Sequence, residues 1–130
     1  MREHLYRGKT TDGNKWMYGF FRTTTLYKEA IIDSAHSSLS EKVIPETVGQ
    51  YTGLLDHNKV KIFEGDILRT RFETVVRVFW DERTACFGFV HIGCEITQAD
   101  RVGKDWTFSA LQEAAEVIGN IHDNPELLAE

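Results

Sequence analysis

The sequence predicts a mostly β fold of the α+β class, built from antiparallel strands. Short runs of strand-forming residues recur along most of the chain, and turn residues such as Gly, Asn, Asp and Pro separate them. Good helix signals occur only near the C-terminus. We therefore expect an N-terminal β-hairpin, then a small, strongly bent SH3-like barrel, then short C-terminal helical segments.

The first 45 residues predict a hairpin region. His4–Arg7 and Lys15–Phe21 have strand character, and the turn between them contains Asp12-Gly13, which tolerates the positive φ that tight turns need. A further short strand is predicted at Leu26–Ile32. The serine-rich stretch His36–Ser40 predicts a loop.

Residues 46–92 predict the barrel. Val48–Leu54 and Lys59–Phe63 are expected to be strands around an Asp-His-Asn turn. Asp66–Phe72, Thr74–Asp81 and Ala85–Ile92 follow with very short connections, which predicts three consecutive antiparallel strands in one bent sheet.

The strand at Thr74–Asp81 has apolar residues on both faces, so we expect it to be central and covered on both sides. Trp80 follows Val76 and Val78 at a period of two. It should therefore share their face, which we predict to be the barrel interior.

The tail contains the helix signals. Ser109 with Gln112 matches a capping box and predicts a short helix through Ala115. Glu116–Ile121 has strand character again. Asn124 followed by Pro125 predicts a last helical turn that ends at Leu128.

The length of 130 residues fits one domain, divided into the hairpin region (1–45) and the barrel-like core with its tail (46–130). The net charge of −5 disfavours general binding to a phosphate backbone. The charge is uneven: residues 1–30 carry a local +3 and residues 91–130 a local −6. Opposite-signed ends can attract within a monomer or between subunits.

The sequence shows no secretory signal and no apolar run near the roughly 20 residues that cross a bilayer. We therefore predict a cytoplasmic protein without membrane contact. Its two cysteines, Cys86 and Cys94, are predicted to be reduced thiols, because eight positions along one strand separate them too far for a disulfide.

Several motifs, in this order and spacing, resemble the YopX-like proteins of bacteriophages and prophages. They are Tyr6-Arg7, Trp16-Met17-Tyr18-Gly19, Gln50-Tyr51-Thr52-Gly53-Leu54, Phe63-Glu64-Gly65-Asp66-Ile67, and Val117-Ile118-Gly119-Asn120-Ile121 with Asn124-Pro125-Glu126. The resemblance implies a phage-encoded, mostly β protein with no agreed catalytic residues. Members usually have Asn-Gly where this chain has Asn58-Lys59. Either Asn58 takes the left-handed conformation, or the turn differs.

Candidate chemical groups are sparse. His91 and Cys94 have a spacing that a metal site could use, but a second close pair of ligands is missing from the sequence. Cys86 with His91 or His122 could form a nucleophile and base, although a cysteine on such a strand is more often a small core residue. The turn acids Glu64, Asp66, Asp81 and Glu82 could pair for acid–base catalysis, but turn capping and solvation explain them more simply. We predict no catalytic residue, metal or cofactor.

The best binding signal is Arg69, Arg71 and Arg77 near Phe79 and Trp80, since arginines with exposed aromatics hold single-stranded nucleic acid. Edge-strand arginines that suppress aggregation, with aromatics in the core, are the simpler explanation.

The leading hypothesis is therefore a phage accessory protein that works without catalysis, as a module that binds protein partners or itself. The alternatives are a nucleic-acid-binding small barrel and, with least support, a small hydrolase using a carboxylate or Cys/His site.

Overall fold

The computed structural model describes residues 4–13, 15–70, 74–82, 85–92, 100–101 and 115–128. The chain is mostly β, as predicted, and among the described residues short 3₁₀ helices occur at Pro45–Thr47 and Pro125–Leu128. The strands are β1 (Tyr6–Lys9), β2 (Trp16–Thr23), β3 (Ala30–Ser34), β4 (Ser40–Lys42), β5 (Gly49–Leu55), β6 (Lys61–Phe63), β7 (Asp66–Arg69), β8 (Val75–Asp81), β9 (Cys86–His91), β10 (Asp100–Arg101) and β11 (Glu116–Asn120).

The strands form two antiparallel sheets, with the orders β4-β3-β2-β1-β5-β6 and β10-β9-β8-β7-β11. No closed barrel is found among the described strands, so the predicted SH3-like barrel is not confirmed. None of the described helices has the length and apolarity of a membrane span.

The predicted run of three consecutive antiparallel strands is confirmed. Ile67 of β7 pairs with Arg77 of β8, and Phe79 of β8 pairs with Gly88 of β9. Strand β8 is the middle strand of its sheet and is buried on both faces, with Val78 on one and Phe79 on the other. The mixed apolar pattern of this strand therefore predicted its central position correctly.

The chain forms two compact units, residues 1–51 and 52–130. The domain count inferred from length stays a prediction. In the first unit, side chains that alternate along β2 and β3 bury one face of the sheet, because successive strand residues point to opposite sides. Its core contains Met17, Ala30, Ile32 and Val43, with Tyr6 and Val48 packed against them.

The second unit has a larger core. Its buried residues come from β5 through β9 and from the residue that precedes β11. They are Leu54, Ile62, Leu68, Val76, Val78, Phe87, Phe89 and Ala115, with Val117 packed against them. Strand β11 pairs with β7 through a register shift between Val117 and Gly119.

The strand predicted at Leu26–Ile32 begins later, at Ala30, and that prediction was wrong for its first four residues. A turn occupies residues 24–29 because the N–H of Thr24 bonds to the carbonyl of Glu29, and the N–H of Glu29 bonds back to Oγ1 of Thr24. Lys28 has a φ of 52°, which a strand does not allow. The short strand β4 begins at Ser40, which was expected to be loop.

The predicted helix from Ser109 to Ala115 lies outside the described residues, apart from Ala115. The last turn is confirmed: Pro125 begins a 3₁₀ helix, and the N–H of Leu127 bonds to the carbonyl of Asn124.

Candidate binding surfaces

Two of the three candidate arginines lie on one face of the second sheet. The pairs Arg69–Val75 and Ile67–Arg77 place Arg69 and Arg77 diagonally across β7 and β8. Arg69 is exposed, whereas Arg77 is half-buried with its guanidinium carbon 5.9 Å from the ring centre of Phe79. Arg71 lies outside the described residues.

The aromatics near these arginines do not form a stacking surface with them. Phe79 shares the arginine face but is only 7% exposed, so a base has little access to its ring. Trp80 lies on the opposite face, with Val76 and Val78, as the period of two predicted.

Trp80 is not in the interior, so that prediction was wrong. Its side chain is 38% exposed, and its ring packs edge-on against Phe87 with 4.9 Å between centroids. Trp80 is the last residue but one of β8 and pairs with Phe87, the second residue of β9. Phe87 belongs to the core that also contains Val76 and Val78, so the tryptophan covers the margin of that core.

Among the described residues, the most exposed large apolar side chains lie in the turn between β2 and β3. Leu26 is 78% exposed and Tyr27 is 75% exposed. Residues 24–29, which we call the hairpin loop, carry both. Leu39, in the separate turn between β3 and β4, is also well exposed. Sequence reasoning missed the hairpin loop because Leu26 and Tyr27 are good strand residues and were assigned to a strand.

A second feature of the first sheet is a row of aromatics on β2. Trp16, Tyr18 and Phe20 share one face, opposite to the face of Met17 in the core. Trp16 is half-buried, Tyr18 is exposed, and Phe20 is 59% exposed. We call these three residues the aromatic face. Their spacing was visible in the sequence, but nothing in the sequence indicated which side of the strand stays open.

Cations accompany the aromatic face. On β1, Lys9 pairs with Trp16 and Arg7 pairs with Tyr18. The guanidinium carbon of Arg7 lies 4.8 Å from the ring centre of Trp16, and Nζ of Lys9 lies 5.9 Å from it, both within cation–π range. Arg7 is buried, whereas Lys9 is half-buried.

Beyond Phe20, a small polar network continues across the sheet. Nε of Arg22 donates a 2.8 Å hydrogen bond to Oδ2 of Asp33, and the hydroxyl of Ser40 donates to Oδ1 at 2.6 Å. The hydrogen bond from Arg22, followed by that from Ser40, lowers the pKa of the Asp33 carboxyl below its usual value. Lys42 forms a 3.3 Å ion pair with Glu29.

Asp56, in the second unit, is a buried carboxylate with three backbone partners. It is 1% exposed. Its Oδ1 accepts hydrogen bonds from the N–H groups of Asn58 and Val60, both at 2.8 Å. Its Oδ2 accepts one from the N–H of Val117 at 2.9 Å. The charge is thus satisfied by backbone donors, an arrangement that supports a structural role.

Two glycines of the recognised motifs are required by close contacts. A Cβ at Gly19, in Trp16-Met17-Tyr18-Gly19, would lie 1.9 Å from the carbonyl oxygen of Asp33. A Cβ at Gly119 would lie 2.5 Å from Oδ1 of Asn124, the atom that accepts a hydrogen bond from the N–H of Asn120. These motifs therefore hold strands and turns together.

The candidate catalytic groups differ in burial and in their contacts. Asp66 is buried, and its Oδ2 accepts a 2.7 Å hydrogen bond from the N–H of Phe63. Asp81 is buried, while Glu82 and His91 are exposed. Cys94 lies outside the described residues. Within the described part of the chain, no group of three or more His, Cys, Asp or Glu side chains is placed to hold a metal ion.

The fold and these surfaces define a small antiparallel β protein whose sequence motifs form turns and strand contacts. A family model described as YopX protein matches residues 5–129. The chain therefore belongs to the YopX family, which confirms the resemblance read from its motifs.

A solved structure has the same fold. Protein EF1440 from Enterococcus faecalis superposes with a TM-score of 0.60 at 23% sequence identity, over 98% of this chain and 99% of that one. At this identity the likeness shows the fold alone. No curated protein matches the chain.

Proposed function

We propose that this chain is a phage- or prophage-derived accessory protein that acts in the bacterial cytoplasm by binding protein partners or copies of itself, without catalysis. The observation that carries the proposal is the hairpin loop, where Leu26 and Tyr27 are each at least three-quarters exposed. Large apolar side chains that are adjacent and solvated in one loop are typical of a protein contact.

The charges near the loop suit such a contact. Thr24 and Thr25, which precede Leu26, are uncharged. Of the two charged residues that follow Tyr27, Glu29 is already paired with Lys42, and Lys28 is exposed. The hydrogen bonds between Thr24 and Glu29 fix the turn in advance, which reduces the entropy lost on binding.

Nucleic-acid binding through Arg69, Arg71 and Arg77 receives less support. Arg69 is exposed, but the aromatic on its face, Phe79, is buried. A hydrolase receives the least, because the buried carboxylates of Asp56 and Asp66 accept hydrogen bonds from backbone N–H groups.

The test compares the wild type with a Leu26→Ser/Tyr27→Ser variant, and uses Leu39→Ser as a control for loss of an exposed apolar side chain elsewhere. Sedimentation velocity over a range of concentrations measures self-association, and crosslinking capture from phage-infected cells identifies other partners. We expect the wild type and the Leu39→Ser control to associate, and the loop variant to lose that association. A loop variant that associates and captures proteins like the wild type would contradict the proposal.

A further inference from the structure

The aromatic face has a geometry that the hairpin loop lacks. Residues on one side of a strand repeat about every 6.6 Å, so Trp16, Tyr18 and Phe20 present rings in a row. The exposure of Phe20 and Tyr18 leaves ring surface open to solvent. Such a row suits a ligand that is itself a row of flat rings.

Cations lie on both sides of this row. Lys9 pairs with Trp16 at one end. At the other end Arg22 follows Phe20 on the same face, and Lys42 pairs with Ile31, the cross-strand partner of Arg22. The aromatic face is thus flanked by groups that attract phosphate.

Carboxylates partly offset these cations. Arg22 is paired with Asp33 and Lys42 with Glu29, and all four side chains are at least one-third exposed. Exposed ion pairs of this kind contribute little to stability, so a phosphate group can replace the carboxylate as the partner of each cation.

The net charge of −5 is not spread evenly over the two units. Residues 1–51 carry seven basic and six acidic residues, whereas residues 52–130 carry eight basic and fourteen acidic ones. The negative charge therefore belongs to the second unit. The first unit, which carries the aromatic face, is weakly positive.

We infer that the aromatic face of the first sheet binds single-stranded nucleic acid. Bases stack on Tyr18 and Phe20, and the backbone follows Lys9, Arg22 and Lys42. Stacking of this kind tolerates any base sequence, because every base has a π-face. A duplex hides those faces and binds less well. Leu26 and Tyr27, which carry the proposed protein contact, and the candidate arginines of the second sheet are not involved.

The test is fluorescence anisotropy of a labelled oligothymidylate about 15 nucleotides long, at about 50 mM salt, with the full chain. A labelled oligouridylate distinguishes RNA from DNA, and a duplex of the same length tests strand preference. We expect the single strand to bind more tightly than the duplex, with affinity that falls as salt rises. Phe20→Ala and Tyr18→Ala should each weaken binding at least about fivefold.

The matched control is Leu39→Ala, which removes an exposed apolar side chain in a turn of the same unit and should leave the affinity unchanged. Circular dichroism melts confirm that each variant is folded at the assay temperature. The inference is overturned if the single strand does not bind below about 100 µM protein. It is also overturned if folded Phe20→Ala and Tyr18→Ala bind like the wild type, or if the duplex binds as well as the single strand.

Discussion

The buried carboxylate of Asp56 joins segments that are 61 positions apart, because it bonds both to its own turn and to Val117 at the start of β11. The adjacent N–H of His57 bonds to the carbonyl of Ala115, which reinforces the same junction. At the scale of single residues, Asp56 therefore acts on the backbone of two distant segments.

Substitution of Asp56 should therefore destabilise the protein. Asp56→Ala removes the buried acceptor of three partly buried backbone N–H groups, and we expect a loss of about 3–5 kcal/mol in the free energy of unfolding. Asp56→Asn keeps one acceptor and should lose about 1–3 kcal/mol. Urea unfolding measures both. His57→Ala, whose exposed side chain is next in sequence, should change stability by less than about 0.5 kcal/mol.

In the turn after Asp56, one substitution should stabilise the protein. Lys59, rather than Asn58, takes the left-handed conformation, with a φ of 64°. This conformation costs a non-glycine residue about 1–2 kcal/mol. Glycine avoids that strain, but it loses more conformational entropy on folding, which offsets part of the gain. Lys59→Gly should thus stabilise the protein by about 0.5–1 kcal/mol in thermal or urea unfolding.

Asn58→Gly is the matched control for that turn. Asn58 is not among the residues with positive φ, so glycine adds only unfolded-state entropy there and should lower stability. If Asn58→Gly stabilised the protein and Lys59→Gly did not, the assigned turn geometry would be incorrect.

At the scale of elements, the hairpin of β2 and β3 depends on Gly19. Its Cα lies so close to the Asp33 carbonyl that a Cβ has no room, and backbone must move to admit one. We expect Gly19→Ala to cost about 2–3 kcal/mol. Thr23→Ala, at the exposed end of the same strand, should cost less than about 1 kcal/mol. If guanidinium unfolding showed the two variants to lose the same free energy of unfolding, the contact between Gly19 and the Asp33 carbonyl would not be the cause of the loss.

The polar network across β2, β3 and β4 predicts a pH dependence. The hydrogen bond from Arg22 lowers the folded-state pKa of Asp33 below 3.8. The contribution to stability is therefore fully present above about pH 3.8 and is lost as the pH falls through the lower, folded-state pKa.

Carbon-detected NMR titration of the Asp33 carboxyl measures this effect. In Arg22→Gln the pKa should rise toward its ordinary value, while Lys42→Gln, which removes the neighbouring cation but no hydrogen bond to Asp33, should move it less. An unchanged pKa in Arg22→Gln would contradict the assigned cause.

At the scale of the whole molecule, the position of each core decides which aromatics are structural. Phe89 is a buried member of the second core, whereas Trp80 lies at the margin of that core and is 38% exposed. We expect Phe89→Ala to cost about 3–5 kcal/mol. Trp80→Ala should cost only about 1–2 kcal/mol, because part of its surface is already solvated and mainly its contact with Phe87 is lost. Thermal melts should show a larger loss of stability for Phe89→Ala than for Trp80→Ala. The reverse order would contradict the position of Trp80 at the margin of the core.

The sequence by itself determined the class of fold, the central position of β8 and the family. These properties depend on local patterns: alternation along a strand, turn residues at fixed offsets, and motifs such as Trp16-Met17-Tyr18-Gly19, whose order the chain displays directly. The final turn at Pro125 was predictable for the same reason.

Only the tertiary structure decided which faces are open. Periodicity placed Trp80 with Val78 and Phe20 with Tyr18, but exposure depends on what packs above each face, and that depends on contacts distant in sequence. Residues 24–29 became a turn for a similar reason. The bonds between Thr24 and Glu29 and the positive φ of Lys28 outweigh the strand propensity of Leu26 and Tyr27, and leave both side chains in solvent.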